Sequence, residues 1–524
     1  MKALPIPYAK QIKSIDLATI KLKKIPSINL MEEASVTFSS WFEKKFHIRE
    51  QVIFAFCGQG NNGGDGLAVS RLLIEKGYKV RVILWGSPEK CSKDCKINYN
   101  RLKSTRAVEI LALNKAKNIP LIPEGSIIID ALLGSGLDRP LEGELQKLIL
   151  QLNSINATRI SIDIPSGLFS DKPTTGLSFA ADEVLSFEFP KLAFLMPENE
   201  AKIINWDFRS IGLRICEEIE KKLTNYWLTT NFIQSLLKKT NRFSHKGTHG
   251  AAFIIAGQKG FCGAAVLASK SCLRAGCGLL YTHLPESCLD IVQKSVPEAI
   301  CKINAGQEYL ESDIFPPEKT TAIGVGPGIG TKFSTARIIE KLFKTTKIPI
   351  LIDADALNII ASNNLLHSVP ENAILTPHPG EFRRLFGESS NDFEELELQR
   401  KKSVEHSVYI VFKGAFTRIS TPDGIVFFNS TGNPGLAKAG SGDVLTGIIT
   451  GLLARSYSPF EASVIGVHLH GLAADLALIN ESVESLVATD VIKNLGKAFQ
   501  KIKTDRALEK IDSEMLEPPI EVTP

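Results

Sequence analysis

With 524 residues, 44% of them hydrophobic and 23% charged, the chain is too long for one core and too ordinary in composition for a disordered or fibrous protein, and its length suggests about two to four domains. A net charge of +4, carried by short scattered runs such as Lys221-Lys222, Lys238-Lys239 and Arg400-Lys401-Lys402, speaks for solvated helix faces and against a nucleic-acid surface. No apolar run reaches the ~18 residues of a membrane helix, and the opening MKALPIPYAKQIKSIDLATI lacks the apolar core and cleavage site of a secretory signal.

Residues 1 to about 50 carry apolar positions at helical spacing (Ile15 to Ala18, Leu30 to Ala34, Phe38 to Phe46) and are expected to cover a sheet. Gln51 to Cys57 reads as a strand buried on both faces. The loop Gly58-Gln59-Gly60-Asn61-Asn62-Gly63-Gly64-Asp65-Gly66 follows, then a helix from Leu67 to Lys76 and a strand from Lys79 to Trp85. Strand, glycine loop and helix in that order let a backbone approach a phosphate closely. Of the nine cysteines only Cys91 and Cys95 approach a ligand spacing, and no second pair completes a zinc site, so reduced thiols in the cytoplasm are expected.

The strand Ser126 to Asp130 places a carboxylate at its carboxyl end, where open α/β sheets bind ligands, and a second glycine loop runs from Ala131 to Pro140. A third strand, Arg159 to Ile162, ends in Asp163-Ile164-Pro165-Ser166-Gly167. Any one of these aspartates could be a cap or turn former; three strand ends at one edge favour a site. Asn62, Asp130 and Ser166 are hard oxygen donors of little charge, suited to a weakly charged cation. Lys191, after Phe189-Pro190, could bring an ammonium to the same edge, although such a lysine is more often exposed.

The motifs GQGNNGGDGL, DALLGSGLDRPLEG and SIDIPSG resemble the NAD(P)H-hydrate epimerase family over roughly Met1 to Leu213. The resemblance implies a Rossmann-like three-layer αβα domain. It further implies that Asn61, Asn62, Gly63, Gly64 and Asp65, with Gly134, Ser135, Gly136, Leu137, Asp138, Arg139 and Pro140, hold the nucleotide hydrate. Asp163 would act on the substrate, and Asn62, Asp130 and Ser166 would ligate K+.

Between Arg214 and Leu228 the chain turns charged and loses strand pattern, which puts a domain boundary near residue 220: one domain over 1–220, a second over 221–503, and a mobile acidic tail over 504–524. In the second domain the strand Ala251 to Ala256 leads into the loop Gly257 to Gly263 and a helix Ala264 to Ala275. Thr320 to Val325 leads into Gly326-Pro327-Gly328-Ile329-Gly330, Ile350 to Ile352 into Asp353-Ala354-Asp355, and Ile374-Leu375 into Thr376-Pro377-His378-Pro379-Gly380-Glu381. His378 between two prolines cannot lie inside a helix, and a ring held so rigidly suggests a ligand contact. His468 and His470, on an apolar helix, read as structural. Val408 to Phe412 ends in Lys413-Gly414-Ala415-Phe416-Thr417, a lysine and a hydroxyl about a glycine, suited to an adenine nucleotide's ribose and phosphates.

Gly440-Ser441-Gly442-Asp443 then precedes the apolar run Val444 to Ala454. Glycines before a helix bare its first N–H groups, whose dipole end attracts a phosphate. Asp443 is either a helix cap worth about 1 kcal/mol or a base that takes the proton of an acceptor hydroxyl, worth about 10² to 10⁴ in rate.

HKGTHG, GPGIG, LIDADALN, TPHPGEF, VFKGAFTRI and NPGLAKAGSGDVLTGIITGLLA together resemble the ADP- or ATP-dependent NAD(P)H-hydrate dehydratases, a ribokinase-like α/β family, over about Tyr226 to Gln500. That resemblance implies nucleotide contacts at Lys413, Gly414, Ala415, Phe416, Thr417 and Gly442. Hydrate contacts would lie at Ala264 or Ala265, Gly328, His378 and Asp443, with Asp443 catalytic. Also implied are ADP as phosphoryl donor, Mg2+, the hydrates NADHX and NADPHX as substrates, and a homo-oligomer with neither nucleic acid nor membrane as partner. The competing readings are a small-molecule kinase with an unrelated first domain and a nucleotide sensor without catalysis.

Overall fold

The computed structural model describes residues 2–47 and 49–514, with side chains up to residue 504. They form two compact units. One is Pro5–Thr224 with Ser390–Glu394; the other is built on Asn225–Ser389 and the chain from Glu395 onward, and takes in the N-terminal residues up to Leu4. The short strand Leu4–Pro5 thus lies at the edge of the second unit's sheet, an assignment that contiguous blocks split at residue 220 do not contain.

The first unit is a seven-stranded, all-parallel sheet. From Val52–Cys57 the chain builds outward through Lys79–Trp85 to Ile110–Leu113. It then returns to Ile127–Ala131 and builds the other way through Thr158–Ile162 and Ala181–Phe187 to Ile203–Arg209. Runs such as VIFAFC and IIIDA are apolar throughout because both faces are covered. The reversal between Val52–Cys57 and Ile127–Ala131 opens a crevice outside their carboxyl ends.

The stretch expected to be a loop up to Gly66 is helical from Asn61, and the helix runs Asn61–Glu75. Tertiary packing explains its glycines. A Cβ on Gly63 would lie 1.9 Å from the Gly58 carbonyl oxygen, and one on Gly66 would lie 2.5 Å from the Ala131 Cβ. Only hydrogen at these positions lets the helix start directly on the strand ends.

The second unit holds an eleven-stranded sheet. Ala251–Ile255 is flanked on one side by Leu279–Leu284 and Ile300–Ile303. On the other side follow Ala322–Val325, Ile350–Ile352, Ile374–Leu375 and Tyr409–Phe412, all parallel. The antiparallel pair Arg418–Ser420 and Val426–Phe428 comes next, then Asn225–Trp227. The helix Ser441–Ala454, buried from Val444 onward, crosses the helix Cys262–Arg274 at close range. A Cβ on Gly447 would meet Ser271 Oγ at 2.0 Å and the Ala268 carbonyl oxygen at 2.1 Å.

Two further expectations change. Cys262 and Cys288 are joined in a disulfide, their Cα atoms 5.3 Å apart, where reduced thiols throughout were expected; packing brings together sulfurs that 26 residues separate. The last helix, Ala488–Glu514, enters the segment expected to be a mobile tail, and the rest of that segment, 515–524, lies outside the described residues. No described helix is long and apolar enough to cross a membrane.

Candidate active sites

In the first unit the strand ends deliver Asn62, Asp130 and Ser166 to one segment of chain. Asp130 is fully buried. Its Oδ1 accepts hydrogen bonds from the Leu132 N–H (3.2 Å) and Ser166 Oγ (2.6 Å), and its Oδ2 from Ser161 Oγ (3.0 Å) and the Ser166 N–H (2.7 Å). Burial raises its pKa, and those hydrogen bonds pull the other way. Ser166 Oγ in turn accepts from the Leu133 N–H at 2.8 Å. Asn62 packs against Gly134 and donates through Nδ2 to the Ile162 carbonyl (2.9 Å), so its amide is oriented and its Oδ1 is left buried without a partner. The buried, unpartnered Asn62 Oδ1 is a hard oxygen acceptor of the kind a weakly charged cation takes. Among the described residues no group of three or more His, Cys, Asp or Glu side chains could hold a metal ion.

Asp163 follows its strand in a left-handed conformation (φ 67°). Its Oδ1 accepts from Lys191 Nζ at 2.7 Å and from the Phe187 N–H at 3.1 Å. Lys191, which its sequence context left as exposed, is 2% exposed, so the pair is an internal one. Two more carboxyls share this field. Asp16, on the helix Ala9–Lys23, is pushed up to about 6, first by burial and then by the charge of Asp163, against the pull of Lys191. Asp65 is pushed well above the carboxylate range by burial and by Asp163, Asp16 and Asp94.

Asn61 is exposed and accepts from Ser92 Oγ at 2.8 Å, while Gly64 packs on Met31. The loop from Gly134 through Ser135, Gly136 and Leu137 closes on itself, the Leu137 N–H donating to the Gly134 carbonyl at 3.3 Å; Asp138, Arg139 and Pro140 form its exposed tip.

In the second unit the carboxyl ends of the parallel strands present Gly257–Gly263, Gly326–Gly330, Asp353, His378 and Lys413 side by side. The helix carrying Asp443 begins at Ser441, behind Gly440 in a left-handed turn (φ 88°). Asp443 is half-buried, and its carboxyl is pushed up to about 6: burial contributes most, then the charges of Asp353 and Asp355, with Lys413 opposing. The helix dipole would lower an acid in the first turn, and burial outweighs it.

Lys413 Nζ donates to Asp353 Oδ1 at 2.9 Å and lies 3.6 Å from Glu381 Oε2. Burial lowers its pKa, the two carboxylates raise it, and the raising effect prevails. Gly442 faces this pair, since a Cβ there would stand 3.5 Å from Lys413 Nζ and 3.7 Å from Asp353 Oδ2.

The turn Gly414-Ala415-Phe416-Thr417 is closed by Thr417 Oγ1 donating to the Gly414 carbonyl at 3.0 Å, with Gly414 and Ala415 exposed and Phe416 beside Trp227. His378 caps the helix Pro379–Phe386, its Nδ1 accepting from the Gly380 N–H at 3.0 Å, and its half-exposed ring has its pKa lowered by burial against the pull of Glu381.

Gly328 (φ 63°) packs on Phe261 and Ala264. Ala265 is fully buried under Gly257, so the half-exposed methyl beside Gly328 belongs to Ala264. His470 stands behind the glycine turn, 3.3 Å from Ser441 Oγ, and burial pulls it down to about 4. The sequence assigns no role to Glu381 or Thr446: Glu381 is one position of a longer motif, and Thr446, one helical turn beyond Asp443, is invisible until its partner Asp353 is placed.

Residues 27–193 match the family model of the YjeF-related protein N-terminus, and residues 252–497 match the model of NAD(P)H-hydrate dehydratase. The bifunctional NAD(P)H-hydrate repair enzyme Nnr of Moorella thermoacetica is 31% identical over 519 residues, covering 95% of this chain and 97% of that one. Its Thermofilum pendens namesake is 33% identical, covering 86% of this chain and 87% of its own. A solved ADP/ATP-dependent NAD(P)H-hydrate dehydratase from Bacillus subtilis, co-crystallised with ATP/Mg2+, is 32% identical, with a TM-score of 0.46, over 52% of this chain and 97% of its own. The chain belongs to the family of bifunctional NAD(P)H-hydrate repair enzymes, with an epimerase-type unit followed by a dehydratase-type unit.

Proposed function

We propose that the first unit interconverts the R and S hydrates of NADH and NADPH, and that the second dehydrates the S epimer at the expense of ADP. The hydrate carries a hydroxyl on its reduced ring. Asp443 takes the proton of that hydroxyl, whose oxygen attacks the terminal phosphoryl group of the nucleotide. AMP leaves as the phosphoryl group transfers, and loss of phosphate together with a proton from the adjacent ring carbon then restores the ring's double bond. Positioning and charge stabilisation suffice for such a transfer. Lys413, Gly442 and the turn to Thr417 face the nucleotide; Gly328, Ala264 and His378 face the hydrate. Mg2+ would arrive with the phosphates, whose charge it neutralises.

The observation that carries this reading is Asp443 itself: a half-buried carboxyl pushed up to about 6, in the first turn of a helix fronted by glycines and facing an ammonium. A base of that strength is well matched to neutral pH. Purified S hydrate and ADP should therefore yield free phosphate and returning reduced-nicotinamide absorbance. A stable phosphorylated product would instead make the protein a kinase.

In the first unit Asp163, paired with Lys191, handles the proton traffic of epimerisation, while Asn62, Asp130 and Ser166 hold K+. A potassium titration of epimerase activity tests the ion: Asn62→Ala should abolish the dependence, and an unchanged titration would refute the site. The substrates place the work in the cytoplasm, where damaged cofactor and nucleotide coexist.

A further inference from the structure

We propose that Asp353 is a positioning residue for the dehydration: with one carboxylate oxygen on the ammonium of Lys413 and the other on the hydroxyl of Thr446, it fixes the nucleotide-facing lysine against the helix that carries Asp443. The proposal rests on the reading of Asp443 as the base.

Asp353 is 1% exposed, and a buried carboxylate is costly unless each oxygen is satisfied. Lys413 satisfies Oδ1 at 2.9 Å, across 60 residues of sequence; Thr446 satisfies Oδ2 at 2.7 Å, across 93. Thr446 and Asp443 are three residues apart on one helix, so they share a face. Anchoring Thr446 therefore fixes the rotation of that helix and the direction in which Asp443 projects. Gly442 packs over the Asp353 and Lys413 head groups, which closes the arrangement from the glycine side.

The groups facing Asp443 are Asp353 and Asp355 from the strand end and helix beyond Ile352, and Lys413 from the strand end beyond Phe412, itself shared with Glu381; His470, behind Ser441, is neutral. After burial, the charge of Asp353 is the largest influence keeping the Asp443 carboxyl high. By engaging Lys413, Asp353 also offsets a cation that would draw Asp443 down.

Two variants test this. Asp353→Asn keeps the shape and removes the charge. It should lower the dehydration kcat by about tenfold or more, as a weaker base does, and move the acid limb of the kcat/KM profile below its wild-type position near pH 6. Thr446→Val removes only the hydroxyl and should lower kcat by roughly three- to tenfold, the loss of one hydrogen bond, without moving the limb. Epimerase activity of the same samples reports an intact first unit.

A wild-type kcat and acid limb in Asp353→Asn overturns the proposal. If that variant does not fold, Thr446→Val decides alone, and a wild-type kcat there overturns it. Asp443→Asn separates the two readings: retained dehydration removes the base assignment, whereas an inactive Asp443→Asn beside an unaltered Asp353→Asn removes only this inference.

Discussion

Asp163 and Asp443 reach their sites by different routes, Asp163 just beyond the parallel strand Thr158–Ile162 and Asp443 in the first turn of the helix Ser441–Ala454, and their immediate partners differ as well. Asp163 bonds directly to a buried ammonium, Lys191 at 2.7 Å, while Asp16 and Asp65 feel its charge from nearby. Asp443 stands among Asp353 and Asp355, and the nearby ammonium of Lys413 is taken by Asp353. The glycines differ in the same way. In the first unit Gly63 and Gly66 are packing residues without which the helix could not rest on the strands. In the second, Gly442 faces open charge and a Cβ would meet only ordinary contacts. Position on the sheet therefore sets where a site lies, and the partners of one carboxyl set which chemistry it can run.

The sharpest way to break this contrast is Asp443→Asn, expected to lower dehydration by about 10² to 10⁴ while epimerisation stays near wild type. Separate assays on purified S and R hydrate check it; dehydration within twofold of wild type would leave the base unidentified.

The ion pair of the first unit predicts an asymmetry. Asp163→Asn strands an ammonium at 2% exposure and should cost about 3–5 kcal/mol of unfolding free energy. Lys191→Met leaves a carboxylate at 14% exposure, still bonded to the Phe187 N–H, and should cost less. Urea unfolding followed through that unit decides, and equal losses would contradict a buried lysine that depends on its partner.

Asp443 shows the reverse pH behaviour to a paired carboxylate. Its folded value of about 6 lies above the ordinary 3.8, so the folded state binds the proton more tightly than the unfolded state. Below pH 4 the group costs nothing; as pH rises through 6 the buried charge comes to cost about 3 kcal/mol. Asp443→Asn should accordingly raise the thermal midpoint of the second unit at pH 7–8 and not at pH 4. A pH-independent difference would argue that Asp443 carries no strained charge.

The glycine pair sharpens the contrast last. Gly63→Ala, with a carbonyl oxygen at 1.9 Å from the new Cβ, should destabilise the first unit by about 3 kcal/mol, the upper end of overpacking costs. Gly442→Ala should leave stability unchanged or raise it by up to about 1 kcal/mol through helix propensity, while raising the KM for nucleotide. Matching stability losses at both positions would erase the distinction between packing and ligand-facing glycines.

Much of the fold was legible because apolar β-rich runs followed at once by glycines and polar residues leave few other readings. What escaped was non-local. The helix beginning at Asn61 reads as a loop by composition, and only the strand ends beneath Gly63 and Gly66 make it helical. Lys191 looks like a surface lysine until the chain, 28 residues earlier, is seen to supply Asp163. The disulfide of Cys262 and Cys288 and the double anchoring of Asp353 likewise join residues no local pattern links. The candidate site residues stand in motifs that are legible in the sequence; their charges and partners are not.

The most direct test of the two-unit account starts from R hydrate alone with ADP, under acidities where spontaneous epimerisation is slow. Wild-type protein should restore reduced-nicotinamide absorbance to completion. Asp163→Asn should restore none, Asp443→Asn should convert R to S without restoring absorbance, and the two variants mixed should recover the full signal. Full restoration by either variant alone, or no recovery from the mixture, would contradict the division of labour between the two aspartates.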